Sequence, residues 1–375
     1  MKASSFGIFG IFGVMFALTA NIGRAQDAAP LIKTAFETET GGWAAFGDGA
    51  KVSVTQEKGK TKDGKGSLLL DYALEKNKPN SLYLPIEGGK LAKMKSLRFW
   101  VRADHTAPLV VTLQEKDGGR YNAIFTAPGG QWQQVELNTN DFTLATDAND
   151  PKDPDGKLDT DKVETISVAD LGTYFLQSDD VNLTKLFPSP TGAHTLLLSD
   201  FAVRSDAAGL VAVNGKTLAL DGLNRPQLGW LGLGGITLAA ATEKPLDGKS
   251  LKATYHESAG KFCGMIRSVP TGGLAGKTHL EFSIASASSM TLLVQLQEQG
   301  GGKYNLIVEV PSAKERKDVA QAFTDFKAAD DSKDDNGKLD LDQVKAILIL
   351  DMGGLLEGAE VDDTLWISGL RATTK

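Results

Sequence analysis

Two long stretches of this chain are copies of each other. Leu113–Asn122 reads LQEKDGGRYN and returns 183 positions later, at Leu296–Asn305, as LQEQGGGKYN. DGKLDTDKV at Asp155–Val163 returns as NGKLDLDQV at Asn336–Val344, offset by 181. Solenoid repeats run to roughly 20–50 residues, so a period this long describes two whole domains. Gly42-Trp43 pairs with Gly229-Trp230, Tyr72 with Tyr255, Phe99 with Phe282, Asp170 with Asp351 and Ser199 with Ser368. The offset falls to 169 at the last pair, so the first copy carries about 12 extra residues between Gly172 and Leu198. That insertion, with Leu186-Phe187-Pro188-Ser189-Pro190, reads as a loop. The expected domains are residues 31–205 and 215–373, with a linker around Ser205-Asp206-Ala207-Ala208-Gly209.

Within each copy apolar residues recur at every second position, the signature of half-buried strands. Leu97, Phe99 and Val101 alternate with Arg98, Trp100 and Arg102, and Leu280, Phe282 and Ile284 keep the same phase. Leu109, Val111 and Leu113 point inward by the same rule, with Thr112 and Gln114 on the other face. Lys116-Asp117-Gly118-Gly119 is a hairpin turn, because glycine takes positive φ at little steric cost. Short strands, Gly-rich connections and few helix-length patterns predict an all-β fold of two tandem jelly-roll β-sandwiches. A short helix is expected after Asp159 and after Asp340, where an acid can cap a turn.

Residues 1–25 read as a cleavable signal peptide: Lys2, the uncharged apolar run Phe6–Ala20, then small residues at Gly23 and Ala25. The run is shorter than the roughly 20 residues a membrane span needs. The mature chain is therefore expected to be secreted or periplasmic, with no membrane span. Without residues 1–25 it carries 38 bases against 47 acids, a net charge of −9. That acidity, and the lack of a basic stripe interleaved with aromatics, argues against nucleic acid as a partner. Cys263 is the one cysteine, which excludes an intramolecular disulfide, and its setting in Lys261–Ile266 reads as a small buried hydrophobe in a strand.

Several pieces together carry a family resemblance: Phe36-Glu37, Gly42-Trp43, Gly64-Lys65-Gly66-Ser67-Leu68, Phe99-Trp100-Val101-Arg102, Trp132–Leu137, Asp141-Phe142 and Gly156-Lys157-Leu158-Asp159. The pattern resembles the galactose-binding-like jelly roll of family eleven carbohydrate-binding modules and complex I intermediate-associated proteins. It covers nearly all of residues 31–205 and, more weakly, 215–373. The resemblance implies fold firmly and ligand weakly, since such scaffolds serve sugar binding, protein contacts and structural duties. It also implies a structural calcium between first and last strands, at positions matched here by Glu37 and Asp200; solvated or hydrogen-bonded acids are the plain alternative.

Trp100 is the leading candidate for ligand contact, because a sugar's CH face packs on an aromatic ring as other apolar groups do. Arg98, Arg102, Thr112 and Gln114 are expected on its face, with Tyr121 bordering the same groove. The alternative is that Trp100 covers the second sheet or meets the neighbouring domain. Trp43, Trp230 and Trp132 read as core or sheet-edge packing. An acidic run with Asp153, Asp155 and Asp159, mirrored by Asp334 and Asp340, is a second calcium candidate. An EF-hand registered on Gly156 fails, with Pro151 and Lys162 in its first and twelfth slots, and an exposed turn is the competing reading.

Catalysis has little support. His105, His194, His256 and His279 are scattered without metal-ligand spacing, and no nucleophile elbow, zinc-helix or phosphate-loop motif is present. Glu115 and Glu298 recur beside the hairpins without an obvious second carboxylate, which leaves a glycoside hydrolase as a minor alternative. The expected function is an exported, non-catalytic binding protein that recognises a polysaccharide or glycan. The rival is a structural or protein-interaction module of the cell envelope, with an envelope protein as partner.

Overall fold

The computed structural model describes residues 29–145, 153–177, 187, 190–207, 216–221, 229–261, 263–269, 272–311, 315–334, 336–356, 358 and 360–375. The signal peptide at residues 1–25 and the end of the expected linker, Ala208-Gly209, lie outside the described residues. Among the described residues no helix is long and apolar enough to cross a membrane.

The first copy supplies twelve strands: β1 (Ile32–Thr34), β2 (Ala44–Phe46), β3 (Lys51–Thr55), β4 (Ser67–Leu74), β5 (Ser81–Pro85), β6 (Ser96–Ala103), β7 (Ala107–Glu115), β8 (Arg120–Ala127), β9 (Gln133–Asn138), β10 (Thr143–Leu144), β11 (Val163–Asp170) and β12 (Gly192–Arg204). The second supplies β13 (Thr217–Ala219), β14 (Trp230–Leu233), β15 (Thr237–Ala241), β16 (Ser250–His256), β17 (Cys263–Ser268), β18 (His279–Ser286), β19 (Met290–Glu298), β20 (Lys303–Val310), β21 (Lys317–Ala322), β22 (Lys327–Ala328), β23 (Val344–Asp351) and β24 (Asp362–Thr373). One sheet of the first copy runs β3-β4-β12-β6-β9 with β1 also on β12; the other runs β10-β8-β7-β11-β5-β2. Adding twelve to every strand number reproduces the second copy's two sheets, so the duplication extends to the whole topology.

Each sandwich closes over its own core, as the alternation requires. Leu97, Phe99 and Val101 meet Leu109, Val111 and Phe125 in one cluster, and Leu280 and Ile284 meet Leu292 and Val294 in a separate one. Trp43 and Trp230 are buried in these cores, with Trp43 edge-on to Phe201 at 5.0 Å. Cys263 is buried too, and burial leads in pushing its thiol up to about 11, as a packing residue requires.

A buried tyrosine–aspartate pair recurs in both domains. Tyr72 Oη donates to Asp170 Oδ2 at 2.7 Å, and Tyr255 Oη donates to Asp351 Oδ2 at 2.6 Å. The other oxygen of each aspartate accepts the N–H of Gly172 (2.7 Å) or Gly353 (2.9 Å). Those bonds open the short helices α1 (Gly172–Gln177) and α2 (Gly353–Leu356). Helices expected after Asp159 and Asp340 are instead single turns, closed by Lys162 N–H to Asp159 C=O and Gln343 N–H to Asp340 C=O.

The two domains touch along β8, whose edge is free beyond its short pairing with β10. The Gly229 N–H donates to the Ile124 carbonyl at 2.7 Å, and Thr126 Oγ1 donates to the Trp230 carbonyl. Covering an exposed strand edge removes a site of unwanted pairing. Phe187 of the first copy's insertion also reaches across. Phe187 stacks on Phe175 at 4.0 Å and packs against the apolar patch of Leu233, Ala346 and Leu348 on the second domain.

Candidate functional site

β6 alternates as expected, with Phe99 and Val101 buried and Arg98, Trp100 and Arg102 half-buried on the outer face. β9 lies beside it, pairing Trp100 with Gln134 and Arg98 with Glu136. Across that pair Arg98 Nε sits 2.7 Å from Glu136 Oε1. Arg102 donates through Nη1 to the Gly59 carbonyl, and Lys62 Nζ lies 4.4 Å from the centre of the Trp100 ring. The two arginines therefore brace the wall around the indole, and the loop before β4 folds toward it. The cation–π contact with Lys62 is of the order of 0.5–1 kcal/mol at such a site.

Trp100 lines a cavity of about 460 Å³, together with Gln131, Trp132, Gln134 and Glu136 from the first domain and Lys249 from the second. Ala239 and Ala240 of β15 close the far wall. Two indoles with amides, a carboxylate and an ammonium make a surface that is flat and apolar in patches and rich in hydrogen-bonding groups between. Trp132 is half-buried on this cavity beside the edge strand β9, so of the two packing roles expected for it the core one is excluded. It precedes β9, where Val135 and Leu137 face inward, and it shares the outward parity of Gln134 and Glu136.

Three of the grouped residues lie elsewhere. Gln114 is on β7, in the opposite sheet from Trp100, and so faces out of the other side of the sandwich with Thr112. There its Nε2 donates to the carbonyls of Glu115, Gly118 and Gly119 and braces its own hairpin. Tyr121 is 2% exposed and belongs to the core, its hydroxyl donating to Asp153. None of the three borders the Trp100 cavity.

Asp153, Asp155 and Asp159 form a tight loop at the end of the opposite sheet. Asp153 Oδ1 accepts the Asp155 N–H, Asp155 Oδ1 accepts the Lys157 N–H, and Asp159 N–H donates to Glu115 Oε1. The second domain repeats the arrangement with Asp334, Asn336, Asp340 and Glu298. Gly119 is needed because a Cβ there would stand 2.6 Å from Glu115 Oε2 and 2.8 Å from the Tyr121 ring. Burial first, and then the charges of Asp153 and Asp159, raise the Glu115 carboxyl above its ordinary value; Glu298 is raised in the same way. Glu37 and Asp200 are both exposed and lie just beyond the β1–β12 ladder, which ends at Thr34 opposite Phe201. Asp200 occupies a left-handed position at φ 48° within the β12 bulge.

The histidines contradict the scattered picture. His105 and His194 come from positions 89 apart, yet their ring centroids lie 4.2 Å from each other. Asp104 Oδ1 is 2.8 Å from His105 Nδ1 and 3.0 Å from His194 Nδ1. Burial opposes ionisation of both Asp104 and His105 but is outweighed: His105, His194 and the Thr195 N–H hold Asp104 below the usual carboxylate range, and Asp170, followed by Asp104, holds His105 above its ordinary value. No local spacing could announce this cluster, since one histidine follows β6 and the other lies near the start of β12.

Residues 29–152 match the model of a family described as carbohydrate binding domain, a stretch that spans β1 to β10. Among solved structures, the family 11 carbohydrate-binding module of Clostridium thermocellum in complex with a β-1,3-1,4-mixed-linked tetrasaccharide aligns at 16% identity and TM-score 0.31, over 39% of this chain and 88% of that one. The tandem CBM22-1–CBM22-2 domain of Paenibacillus barcinonensis Xyn10C aligns at 14% identity and TM-score 0.31, over 94% of this chain and 99% of that one. An exo-β-agarase aligns at 14% identity and TM-score 0.33, over 43% of this chain and 25% of that one. No curated protein matches the chain.

Proposed function

We propose that this chain is an exported, non-catalytic carbohydrate-binding protein whose ligand lies in the cleft between Trp100 and Trp132. The observation that carries the reading is the cavity of about 460 Å³ where both indoles meet Gln131, Gln134, Glu136 and Lys249. Its volume is in the range of small-ligand sites, roughly 300–1,000 Å³. The family match over residues 29–152 contains every one of these residues except Lys249. Sugars suit such a cleft because their CH faces pack on indole rings while their hydroxyls bond the amides and charged groups around them.

The test is affinity electrophoresis and calorimetry of the full chain against mixed-linkage β-glucan, xylan and agarose. At least one should retard the protein. Removing a central aromatic anchor costs about 2 kcal/mol or more, which is roughly 30-fold in Kd. Trp100→Ala and Trp132→Ala should each lose that much with an unchanged fold, because neither ring is in a core. Full affinity in both variants, or capture of an envelope protein that sugar does not compete, would refute the reading.

A calcium role is proposed for the acidic loop of each domain. Like charges crowd a buried glutamate there, at Glu115 with Asp153 and Asp159 and again at Glu298 with Asp334 and Asp340. Oxygen donors so placed suit a hard divalent cation. Native-state binding raises thermal stability, so calcium should lift the melting temperature above that in chelator. Identical melting with calcium and with chelator would remove this part of the reading.

A further inference from the structure

The two histidines that meet at Asp104 have a hydrogen-bonding problem that protons alone solve badly. All four ring nitrogens face acceptors. Both Nδ1 atoms face Asp104 Oδ1. His194 Nε2 lies 3.0 Å from the Pro190 carbonyl oxygen. His105 Nε2 lies 3.0 Å from Asp170 Oδ2, close enough for an ion pair but without a formed hydrogen bond. A neutral imidazole has one N–H, so each ring would turn a lone pair onto an oxygen. Protonating both rings instead sets two like charges side by side, with centroids 4.2 Å apart.

A divalent metal ion resolves both difficulties. The Nδ1 lone pairs and Asp104 Oδ1 then converge on the ion, while each Nε2–H donates outward, to Asp170 and to the Pro190 carbonyl. Ligating histidines are commonly held this way, the far N–H bonded to a carboxylate or backbone carbonyl. The outer groups are themselves fixed. Asp170 accepts from Tyr72 and Gly172, and Asp104 Oδ2 accepts the Thr195 N–H at 2.9 Å. The three donor atoms all lie within 4.8 Å of one another. Bonds of about 2.0–2.1 Å place tetrahedral donors roughly 3.3 Å apart. The two nitrogen–oxygen separations of 2.8 and 3.0 Å need only a few tenths of adjustment, and the nitrogen–nitrogen separation lies within the 4.8 Å bound.

The second domain supplies an internal comparison. Strand registers equate His105 with Ser288 and His194 with Asp363, since His194 pairs with Tyr72 and Asp363 with Tyr255. Ser288 and Asp363 bond directly to each other, and Ala287 stands where Asp104 does. The tyrosine–aspartate pair below is kept in both copies, so the fold does not require the histidines. They are an addition to the first domain alone.

We propose that Asp104, His105 and His194 form a binding site for a borderline transition-metal ion of the zinc class, with its fourth position open. His105 and Pro190 line a cavity of about 230 Å³ shared with Phe187 of the insertion and with Ile236 and Thr237 of the second domain. A bound ion fixes the chain after β6 to the start of β12, and His194 in turn holds the Pro190 carbonyl. Two nitrogen donors set this site apart from the all-oxygen calcium loops.

The experiment uses the untagged full chain, stripped with chelator and titrated with Zn²⁺ alone and then Co²⁺. One equivalent of Zn²⁺ should bind with micromolar or tighter affinity in excess calcium. Co²⁺ should give the intense visible bands of a four-coordinate site with nitrogen ligands, a readout that needs no variant. The double variant His105→Ser/His194→Asp, which installs the residues of the second domain, should fold with an unchanged circular dichroism spectrum and lose that equivalent. His256→Ala, which alters an exposed histidine beside Asp362, should keep it. No saturable Zn²⁺ binding, octahedral Co²⁺ bands, or an equivalent that survives the double variant would overturn the proposal.

Discussion

The buried tyrosine–aspartate pairs allow a comparison of one substitution in two nearly identical settings. Tyr255→Phe removes the 2.6 Å bond to Asp351 and leaves that carboxylate, 3% exposed, with the Gly353 N–H on its other oxygen. Hydrogen bonds to charged groups contribute about 1.5–3 kcal/mol, and an orphaned buried charge sits at the upper end. Tyr72→Phe removes the equivalent 2.7 Å bond, but Asp170 Oδ2 also has the His105 ring 3.0 Å away. That imidazole can turn and donate, which offsets part of the loss. The expected costs are about 2–3 kcal/mol for Tyr255→Phe and about 1–2 for Tyr72→Phe. In domains of this size each kcal/mol moves the melting temperature by about 2–4 °C. Scanning calorimetry in chelator, with each transition assigned by the variant that moves it, should show the larger downward shift in the second domain. Adding His105→Ser to Tyr72→Phe should bring the first domain's loss up to the second's. A Tyr72→Phe loss equal to or above that of Tyr255→Phe would refute the compensation argument.

Gly66 sits where a Cβ would stand 2.1 Å from the Phe36 carbonyl oxygen, and its own carbonyl accepts from Ser199 Oγ. Gly66→Ala should therefore cost at least about 2 kcal/mol in urea unfolding, by forcing two backbones apart. Glu281 closes the C-terminal strand, with Lys375 Nζ at 3.0 Å, Arg371 Nη2 at 2.7 Å and Thr373 Oγ1 at 3.1 Å. Burial works against its charge, but these donors outweigh it and hold its pKa at about 2, below the ordinary 4.5. A depressed acid contributes stability that is complete above its unfolded value and is lost as pH falls through the folded one. Glu281→Gln should thus destabilise the second domain at pH 7, and the gap from wild type should close between pH 5 and 2; a gap constant down to pH 2 would count against it.

How much of this was legible follows from what period two encodes. Alternation tells which side of its own strand a residue faces, so the cores around Phe99 and Phe282, and the outward face of Trp100, could be read directly. It does not tell which sheet the strand joins. Trp100 and Gln114 share a parity, but the short turn after Ala103 carries the chain from one sheet to the other, and the two residues leave the sandwich on opposite sides. Tyr121 misleads for another reason: its ring fills the core while its hydroxyl escapes to Asp153, a division an amphipathic side chain permits and a sequence does not show. His105 and His194 stand at strand ends or beyond, where only the closed sandwich fixes their directions.

The two copies differ where duplication leaves residues free to change. Positions that satisfy buried charge are shared: Tyr72 and Tyr255, Glu115 and Glu298, Asp170 and Asp351. Each holds a partner that would be stranded in the interior, so its loss is costly in either domain. On the outer sheet no such penalty applies. Trp100 gives way to Ser283, whose hydroxyl donates to Asp318 at 2.6 Å, and Arg98 gives way to Glu281, now bonded to the chain end. A polar face of that kind offers no indole for a sugar to pack against. The second domain instead lends Ala239, Ala240 and Lys249 as the far wall of the first domain's cleft. These wall residues come from the β15 edge of its sheet, separated from the strand of Ser283 by β16 and β24, so the indoles and their surrounding polar groups are gathered at the junction of the two sandwiches.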